Sequence, residues 1–448
     1  MECSRRRREE RRRSGRGLQG SELTPQFPPP LPGEVRVGAI GLGLRSEPLF
    51  FAQVISYVTS RKRLWSLVAV LVGALLLIRA IADAAYVYVP QYRFRNDFRL
   101  LYGAVLTTFH DGYSHLYDPI AQKAAVDGLG PGFYWSLFLN PPPLVWLATP
   151  LAALPFSVAI ILWTILLLAS AALTWYLVAP GAGLAKAGLG LMWLGVVPVS
   201  FAIGVGQSVV LVAAAVATAW WLAEHDHPVW AGLALSFIVF KPQLALFVPL
   251  CLAVSGHARV FGAWLVATAF MVLISLALLG HDGVAGFRAA LAVASQWEIT
   301  RSYAVSGLIG AGPQLYVAQA IVAVATLAAA WRWRGHGTAI PIVAGITGSL
   351  LFTPYVGFQD FAMLVLAGWL LARTHPTPWQ VALLVVGFAL LQLVLTVLAV
   401  PIIAAEVLLL ASLIYNAPAR SSTGSTRLAP NPPLEAPPIT RMAPNVPD

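Results

Sequence analysis

The chain has 448 residues, of which 58% are hydrophobic and 11% are charged, and its formal net charge is +10. An ordinary soluble domain carries roughly 25% charged residues, so this composition excludes a soluble globular protein. Much of the positive charge lies in the segment RRRREERRR and in short loops, a pattern typical of membrane topology signals rather than of nucleic-acid binding. The two cysteines, Cys3 and Cys251, are too few for a disulfide framework.

Both ends of the chain differ in composition from its centre. Residues 1–60 are rich in arginine and then in proline, and no apolar stretch closely follows the arginines. This composition predicts a disordered tail rather than a signal peptide. Residues 416–448, rich in proline and serine, predict a second tail. The sequence therefore predicts one transmembrane domain over residues 61–415.

Long apolar runs fill this central domain. They are continuous rather than alternating, which favours helices over a barrel and predicts an all-α, polytopic integral membrane protein with about twelve spans. The predicted spans are residues 64–86, 136–153, 156–179, 186–203, 207–223, 229–254, 258–280, 312–332, 338–354, 358–373, 378–398 and 400–415. The segment RKR at 61–63 predicts a cytoplasmic N-terminus under the positive-inside rule, and counting through the predicted spans places the C-terminus in the cytoplasm as well.

Two substantial outer loops are predicted, residues 87–135 and 281–311, and the first contains the charged segment RFRNDFRLLYG at 93–103. After Asp97, apolar residues recur at helical spacing, which predicts a short helix along the outer membrane interface. Asp97 has two interpretations. It is either the N-cap of this helix, with the neighbouring arginines reaching to lipid headgroups, or a functional carboxyl that faces water beside the lipid. The spacing is compatible with both.

Charged and glycine residues inside the apolar runs give further predictions. Arg79 and Asp83 are four residues apart, so they can neutralise each other on one helix face. Lys241 interrupts a long run, and the following Pro242 can split that run into two half-helices. A buried ammonium needs either an internal salt bridge or an anionic ligand, and both remain open. The glycine-rich segment GAGLAKAGLG at 181–190 predicts close helix packing.

Several landmarks follow one another along the chain. They are Asp97, HDGYSHLYDP (110–119), FYWSLFLNPPPLVWLATPLAALP (133–155), GVGQSVVL (204–211), AGLALSFIVFKPQLALFVPL (231–250) and LLFTPYVGFQDFAMLV (350–365). Their order and spacing over residues 64–415 resemble glycosyltransferase family 87 of the GT-C class. The resemblance implies an enzyme that transfers a sugar from a polyprenyl-phosphate donor at the outer side of the cytoplasmic membrane, with inversion at the anomeric carbon.

The resemblance also implies roles for individual residues. Asp97 matches the family's aspartate in the first outer loop, the implied general base. One carboxylate suffices, because the lipid phosphate leaves as an anion and needs cations rather than a proton. The implied phosphate-binding residues are Lys241, Arg301 and Arg95, with Arg93 and Arg99 nearby. Glu298 offers Arg301 an alternative partner.

The predicted substrate-binding residues are Tyr102, Tyr134, Asn140, Gln207, Gln243, Gln359 and Asp360. Tyr134 has a second interpretation as an interfacial anchor, and Gln207 as a residue that packs helices together. Gln359 and Asp360 stand near the place where several relatives carry a histidine or another polar residue, which is a departure from the family pattern.

The predicted activity is hexose transfer, with mannose as the expected sugar, to a lipid or glycan acceptor in a bacterial cytoplasmic membrane. No cofactor or metal is predicted, because the histidines of EHDH at 224–227 do not share one helix face. The alternative is a membrane transporter or a lipid-linked sugar flippase, which would also place charges within the membrane. No repeat relates the two halves of the sequence, which argues against that alternative.

Overall fold

A computed structural model of the chain describes residues 61–88, 96–133, 135–395 and 399–416. The predicted N-terminal tail, nearly all of the predicted C-terminal tail, and the predicted site residues Arg95 and Tyr134 lie outside these ranges. Within the described ranges every regular element is a helix and no strand occurs. The predicted all-α fold class is therefore confirmed for this part of the chain.

The helices follow one another through short connections. In chain order the α-helices are α1 (Lys62–Asp83), α2 (Phe98–His110), α3 (Pro119–Asp127), α4 (Pro142–Ala148), α5 (Phe156–Val178), α6 (Gly183–Gly195), α7 (Val197–Val205), α8 (Val209–Glu224), α9 (Pro228–Leu235), α10 (Phe247–Val254), α11 (Ala258–Ala294), α12 (Glu298–Arg301), α13 (Val305–Ile309), α14 (Pro313–Arg332), α15 (Ala339–Phe352), α16 (Ala362–Ala372), α17 (Pro378–Gln392) and α18 (Ala399–Tyr415). Short 3-10 turns at Ser236–Phe240, Pro242–Leu244 and Phe358–Phe361 lie next to α9, α10 and α16.

Several helices are long and apolar enough to cross a membrane. Among the described residues these are four: the stretch Lys62–Tyr86, and α5, α11 and α14. A fifth crossing results if α6 and α7, which meet at a bend of 56°, form one span. The remaining apolar helices are shorter than 18 residues. The protein is therefore a membrane protein, and the number of about twelve crossings stays a prediction.

Two predicted boundaries differ from the structure. The span predicted at residues 136–153 is helical only from Pro142, because consecutive prolines cannot donate helix hydrogen bonds and favour extended backbone before them. Conversely, α11 continues to Ala294 beyond a break at Gly280, where φ is 61°. The predicted outer loop at residues 281–311 therefore begins with helix rather than with irregular chain.

The first helix packs closely along α6. A Cβ atom on Gly188 would lie 2.8 Å from the backbone carbonyl carbon of Ala69, so only glycine allows this approach. The predicted packing role of the glycine-rich segment is thus confirmed at Gly188. Arg79 pairs with Asp83 at 3.2 Å, as predicted, and also donates to the Gly195 carbonyl oxygen at 3.1 Å.

The helix predicted after Asp97 is present as α2, but its apolar face has a different environment from the one predicted. Phe98, Leu101, Tyr102 and Val105 are buried within the protein, and only Phe109 of the predicted apolar face is largely exposed. The face that the helical spacing assigned to the membrane interface therefore packs against the protein core. This packing fixes the position of the residue before the helix, Asp97.

Candidate active site

Four polar side chains from distant parts of the sequence form one hydrogen-bonded chain, here called the polar network: Asp97, Gln207, Lys241 and Asp360. Gln207 Nε2 donates to Asp97 Oδ2 at 2.5 Å. Lys241 Nζ donates to Gln207 Oε1 at 3.2 Å and to Asp360 Oδ1 at 2.5 Å. The fold thus brings together four of the residues that the sequence singles out separately.

Asp97 is held by its backbone while its carboxyl points into the polar network. Its N–H donates to the carbonyl oxygen of Val205 at 2.8 Å, which ties the start of α2 to the end of α7. The Asp97 side chain makes no capping hydrogen bond to α2. Asn96 Oδ1 accepts from the N–H of Arg99 instead, at 2.9 Å. Asp97 is therefore the N-cap of α2 by position, as one interpretation predicts, but its side chain is not used for capping.

Arg99 also differs from its predicted environment. Its side chain does not extend to lipid headgroups, because the residue is only 2% exposed. The Arg99 guanidinium donates through Nη1 to the backbone oxygen of Asn96. Its positive charge therefore lies inside the protein, close enough to Asp97 to influence the pKa of that carboxyl.

Gln207 owes its position to a glycine turn. α7 ends at Val205, and the next residue, Gly206, has a left-handed φ of 81°, which suits glycine. Trp163 Nε1 donates to the Gly206 carbonyl oxygen at 2.9 Å. A Cβ atom on Gly206 would lie 2.8 Å from Cβ of Phe98, so a larger residue would push α2 away. This turn holds the Gln207 amide against Asp97.

Lys241 lies at a helix break that its neighbour creates. A residue before proline avoids helical backbone, and Lys241 has φ −154° and ψ 72°. The predicted splitting of residues 229–254 into two shorter pieces is confirmed. Lys241 is 8% exposed, so its ammonium lies in the interior and meets Gln207 and Asp360 rather than bulk water.

Asp360 anchors the other end of the polar network. Its Oδ2 accepts from the N–H of Gly357 at 3.0 Å, and its Oδ1 accepts from Lys241. Both carboxylate oxygens therefore have partners, as burial requires. Tyr355, which the sequence does not distinguish from its neighbours, lies close to this carboxyl. Burial and the negative charge of Asp360 raise the pKa of the Tyr355 hydroxyl.

Burial and neighbouring groups act in opposite directions on the pKa of the Asp97 carboxyl. Burial raises its pKa above the ordinary value for aspartate, while the hydrogen bond from Gln207 and the charges of Arg99 and Lys241 lower it. The net direction is upward. A carboxylate with a raised pKa holds a proton more strongly than an ordinary aspartate does, a property that favours proton abstraction.

Two other predicted residues make structural contacts. The Tyr102 hydroxyl donates to the Leu154 carbonyl oxygen at 2.6 Å, and its ring packs against Phe98 and Phe156 with centroid distances of 6.0 and 5.5 Å. Tyr102 therefore holds α2 in place. The backbone oxygen of Asn140 accepts from the Tyr117 hydroxyl at 2.8 Å.

The remaining predicted residues lie on chain segments around the polar network. Gln243 is half-buried in the 3-10 turn after Lys241. The Gln359 side chain folds over Gly357, where an added Cβ atom would lie 2.2 Å from Nε2. Arg301 ends α12, two residues before Tyr303.

The predicted second outer loop contacts the turn that carries Asp360. The ring of Tyr303 packs against Phe358 and Phe361 of that turn, with centroid distances of 6.0 and 6.1 Å. Ser306 donates a hydrogen bond to the backbone oxygen of Pro354. These contacts bring the chain segment that contains Arg301 close to the polar network.

An apolar cavity of about 330 Å³ adjoins the break at Lys241. It is lined by Pro141–143, Ile238, Val239, Pro242, Leu246, and by Trp264, Thr268, Val272, Ser275, Leu276, Leu279, Val284 and Phe287 of α11. Pro242, which lines the cavity, directly follows Lys241 in the sequence, whereas no residue of the polar network lines the cavity itself. Among the described residues, no group of three or more His, Cys, Asp or Glu side chains is arranged to hold a metal ion.

Residues 138–354 match the family model of glycosyltransferase family 87. The predicted family is confirmed. The matched segment of this family 87 protein contains Gln207 and Lys241, whereas Asp97 and Asp360 lie outside it on either side. No curated protein and no solved structure matches the chain. The family match supports a membrane glycosyltransferase, with a sugar donor and an acceptor as its classes of substrate.

Proposed function

We propose that this protein transfers a hexose, with mannose as the expected sugar, from a polyprenyl-phosphate donor to a hydroxyl group of a lipid or glycan acceptor. The proposed location is the outer face of a bacterial cytoplasmic membrane, with a GT-C type fold and both termini in the cytoplasm. One observation carries the proposal: a carboxyl with a raised pKa, Asp97, is joined through Gln207 to the buried ammonium of Lys241.

Asp97 acts as the general base in this proposal. The acceptor oxygen forms a bond to the anomeric carbon while the bond from that carbon to the phosphate oxygen breaks. The acceptor proton passes to the Asp97 carboxylate, and polyprenyl phosphate leaves as an anion. A single displacement of this kind inverts the anomeric configuration and needs no second acid, since a phosphate is already a good leaving group.

Lys241 is the proposed contact for the donor phosphate. An ammonium has three N–H donors, and Gln207 and Asp360 accept two of them within the described residues. The third is available to a phosphate oxygen. Asp360 supports this role because it supplies a negative partner for a cation that would be costly to bury alone. Arg301 and Arg95 are proposed as further phosphate contacts.

The apolar cavity beside Pro242 is the proposed site for the start of the donor's lipid chain. Its lining is mostly hydrophobic and includes Pro242, the residue that follows Lys241 in the sequence. A donor with its phosphate at Lys241 would therefore have an apolar surface for its isoprenoid units. Tyr134, Asn140, Gln243 and Gln359 are proposed to contact the sugar or the acceptor.

A product assay tests the proposed function. Purified protein is incubated with polyprenyl-phosphate mannose and a bacterial lipid extract, and the release of polyprenyl phosphate is measured by mass spectrometry. We expect release by the wild type and none by Asp97→Asn, with Asp111→Asn as the matched control, since Asp111 is exposed at the other end of α2. A panel of other lipid-linked sugars tests the choice of mannose.

The outcome distinguishes an enzyme from a flippase. A flippase would move the lipid-linked sugar across a vesicle bilayer and leave the sugar–phosphate bond intact. Absence of release with every sugar of the panel would refute glycosyl transfer from this donor class. Equal release by wild type and Asp97→Asn would refute the role of Asp97 alone.

A further inference from the structure

A second buried acid lies outside the polar network. Glu406, in the middle of α18, is 3% exposed. Within the described residues its Oε1 atom is buried and has no hydrogen-bond partner. A buried carboxyl oxygen without a partner destabilises a protein, so its presence in an apolar helix calls for a partner from elsewhere.

Glu406 lines an apolar cavity of about 320 Å³ between α6, α16, α17 and α18. Such a volume is within the range of small-molecule sites, roughly 300–1,000 Å³. The other lining residues are hydrophobic or glycine, and Ala405 is one of them. Among these described lining residues, Glu406 alone carries an ionisable side chain.

The chemistry of this cavity selects a class of ligand. An ionised carboxylate would need a cation, and the lining supplies none among the described residues. A neutral carboxyl instead donates one hydrogen bond and accepts others. The matching partner is a hydroxyl group, which can both accept and donate, on a molecule whose body is apolar.

We propose that the cavity at Glu406 binds an amphiphile with an apolar chain and a single hydroxyl group. Its hydroxyl hydrogen-bonds to Glu406, and its chain contacts the hydrophobic walls on α16 and α17. This site shares no residue with the polar network and does not depend on the proposed sugar transfer. It is a second ligand site, built from the C-terminal helices.

Binding of 1-decanol, with decane as the matched ligand that lacks the hydroxyl, tests the site. Radiolabelled decanol is bound to the full-length protein in nanodiscs, and unlabelled decanol or decane is used to compete. We expect decanol to compete at least about tenfold better than decane, since a buried hydrogen bond contributes on that scale. Glu406→Leu should remove this preference, and Glu406→Gln, whose amide also donates and accepts, should largely keep it.

A cavity-filling variant locates the bound ligand. Ala405→Phe adds a ring at a lining position and leaves Glu406 in place, so we expect it to weaken the binding of both decanol and decane. Equal competition by decanol and decane in the wild type would overturn the proposal and would leave water as the partner of Glu406. Unchanged decanol binding in both Glu406→Leu and Ala405→Phe would overturn it as well.

Discussion

Asp360 and Glu406 are equally buried acids, each 3% exposed, but they have opposite environments. Both oxygens of Asp360 accept hydrogen bonds, from Lys241 and from Gly357. The Glu406 Oε1 atom has no such partner within the described residues. Asp360 therefore has its hydrogen-bond partners within the protein, whereas Glu406 obtains a partner for Oε1 from the proposed bound ligand.

The backbone explains the difference. Asp360 lies in a turn before α16, where amide groups such as that of Gly357 are not used by a preceding helical turn. Glu406 lies within α18, where the backbone amides already bond within the helix. The other members of the polar network are also at helix ends: Asp97 precedes α2, Gln207 lies between α7 and α8, and Lys241 follows a 3-10 turn. At helix ends some backbone N–H and C=O groups have no partner within the helix, and the irregular backbone lets side chains point toward one another.

The largest expected effect is on catalysis by the polar network. Asp97→Asn removes the proposed base but keeps an acceptor and a similar shape, so transfer should fall by about 10²–10⁴-fold while the fold remains. The measurement is the rate of polyprenyl phosphate release, with thermal unfolding of the same sample as the check on folding. Asp111→Asn should keep the wild-type rate. A loss in both variants would indicate a general effect of substitutions on α2.

The next effect tests the pairing of Asp360 directly. Lys241→Met leaves Asp360 buried without a cation, which should lower the free energy of unfolding by about 3–5 kcal/mol. In the double variant Lys241→Met/Asp360→Asn, the neutral amide no longer needs a cation and still accepts from Gly357, so much of that loss should be recovered. Chemical denaturation in detergent measures Lys241→Met, Asp360→Asn and the double variant. Simple addition of the two single effects would show that the pair is not coupled.

The sequence predicts the members of the polar network but not how they are connected. Lys241 and Pro242 predict a helix break around a buried charge, and the break is present. The turn at Gly206 positions Gln207, but the Gly-Gln pair in the sequence indicates such a turn only weakly. The bonds between these residues depend on packing across more than a hundred positions of sequence between Asp97 and Gln207. No local pattern contains that information.

Other features were beyond sequence reasoning for physical reasons. α2 has the periodicity of an interfacial helix, but periodicity does not distinguish a face toward lipid from a face toward protein when both environments are apolar. Asn96 Oδ1, and not the Asp97 side chain, accepts from the N–H of Arg99, and the N–H of Asp97 is held by a long-range contact with Val205. Glu406 interrupts the apolar run at residues 400–415, which is the same kind of signal as Lys241, but the sequence does not show the cavity that Glu406 lines.

A smaller effect tests how the hydrogen bond from Gln207 changes the pKa of Asp97. The hydrogen bond from Gln207 lowers the pKa of Asp97, so Gln207→Leu should raise that pKa further. Transfer needs the ionised carboxylate, which is present above the pKa. The acidic limb of the rate profile should therefore move to higher pH, and the rate below it should fall about tenfold for each unit of the shift. The profile of kcat/KM against pH measures this. If the acidic limb did not move, the hydrogen bond from Gln207 would not set the pKa of the catalytic base.

The smallest expected effect is on Glu406 and has the opposite sign to that on the Lys241–Asp360 pair. Glu406→Leu replaces an unpaired buried carboxyl with an apolar side chain, so it should raise the free energy of unfolding by about 1 kcal/mol. Saturating decanol should then stabilise the wild type, because a ligand that binds the folded state adds to stability, and should stabilise Glu406→Leu much less. Thermal unfolding with and without decanol gives both differences in one experiment. A destabilised Glu406→Leu with an unchanged response to decanol would mean that Glu406 has a partner within the folded protein, as Asp360 does.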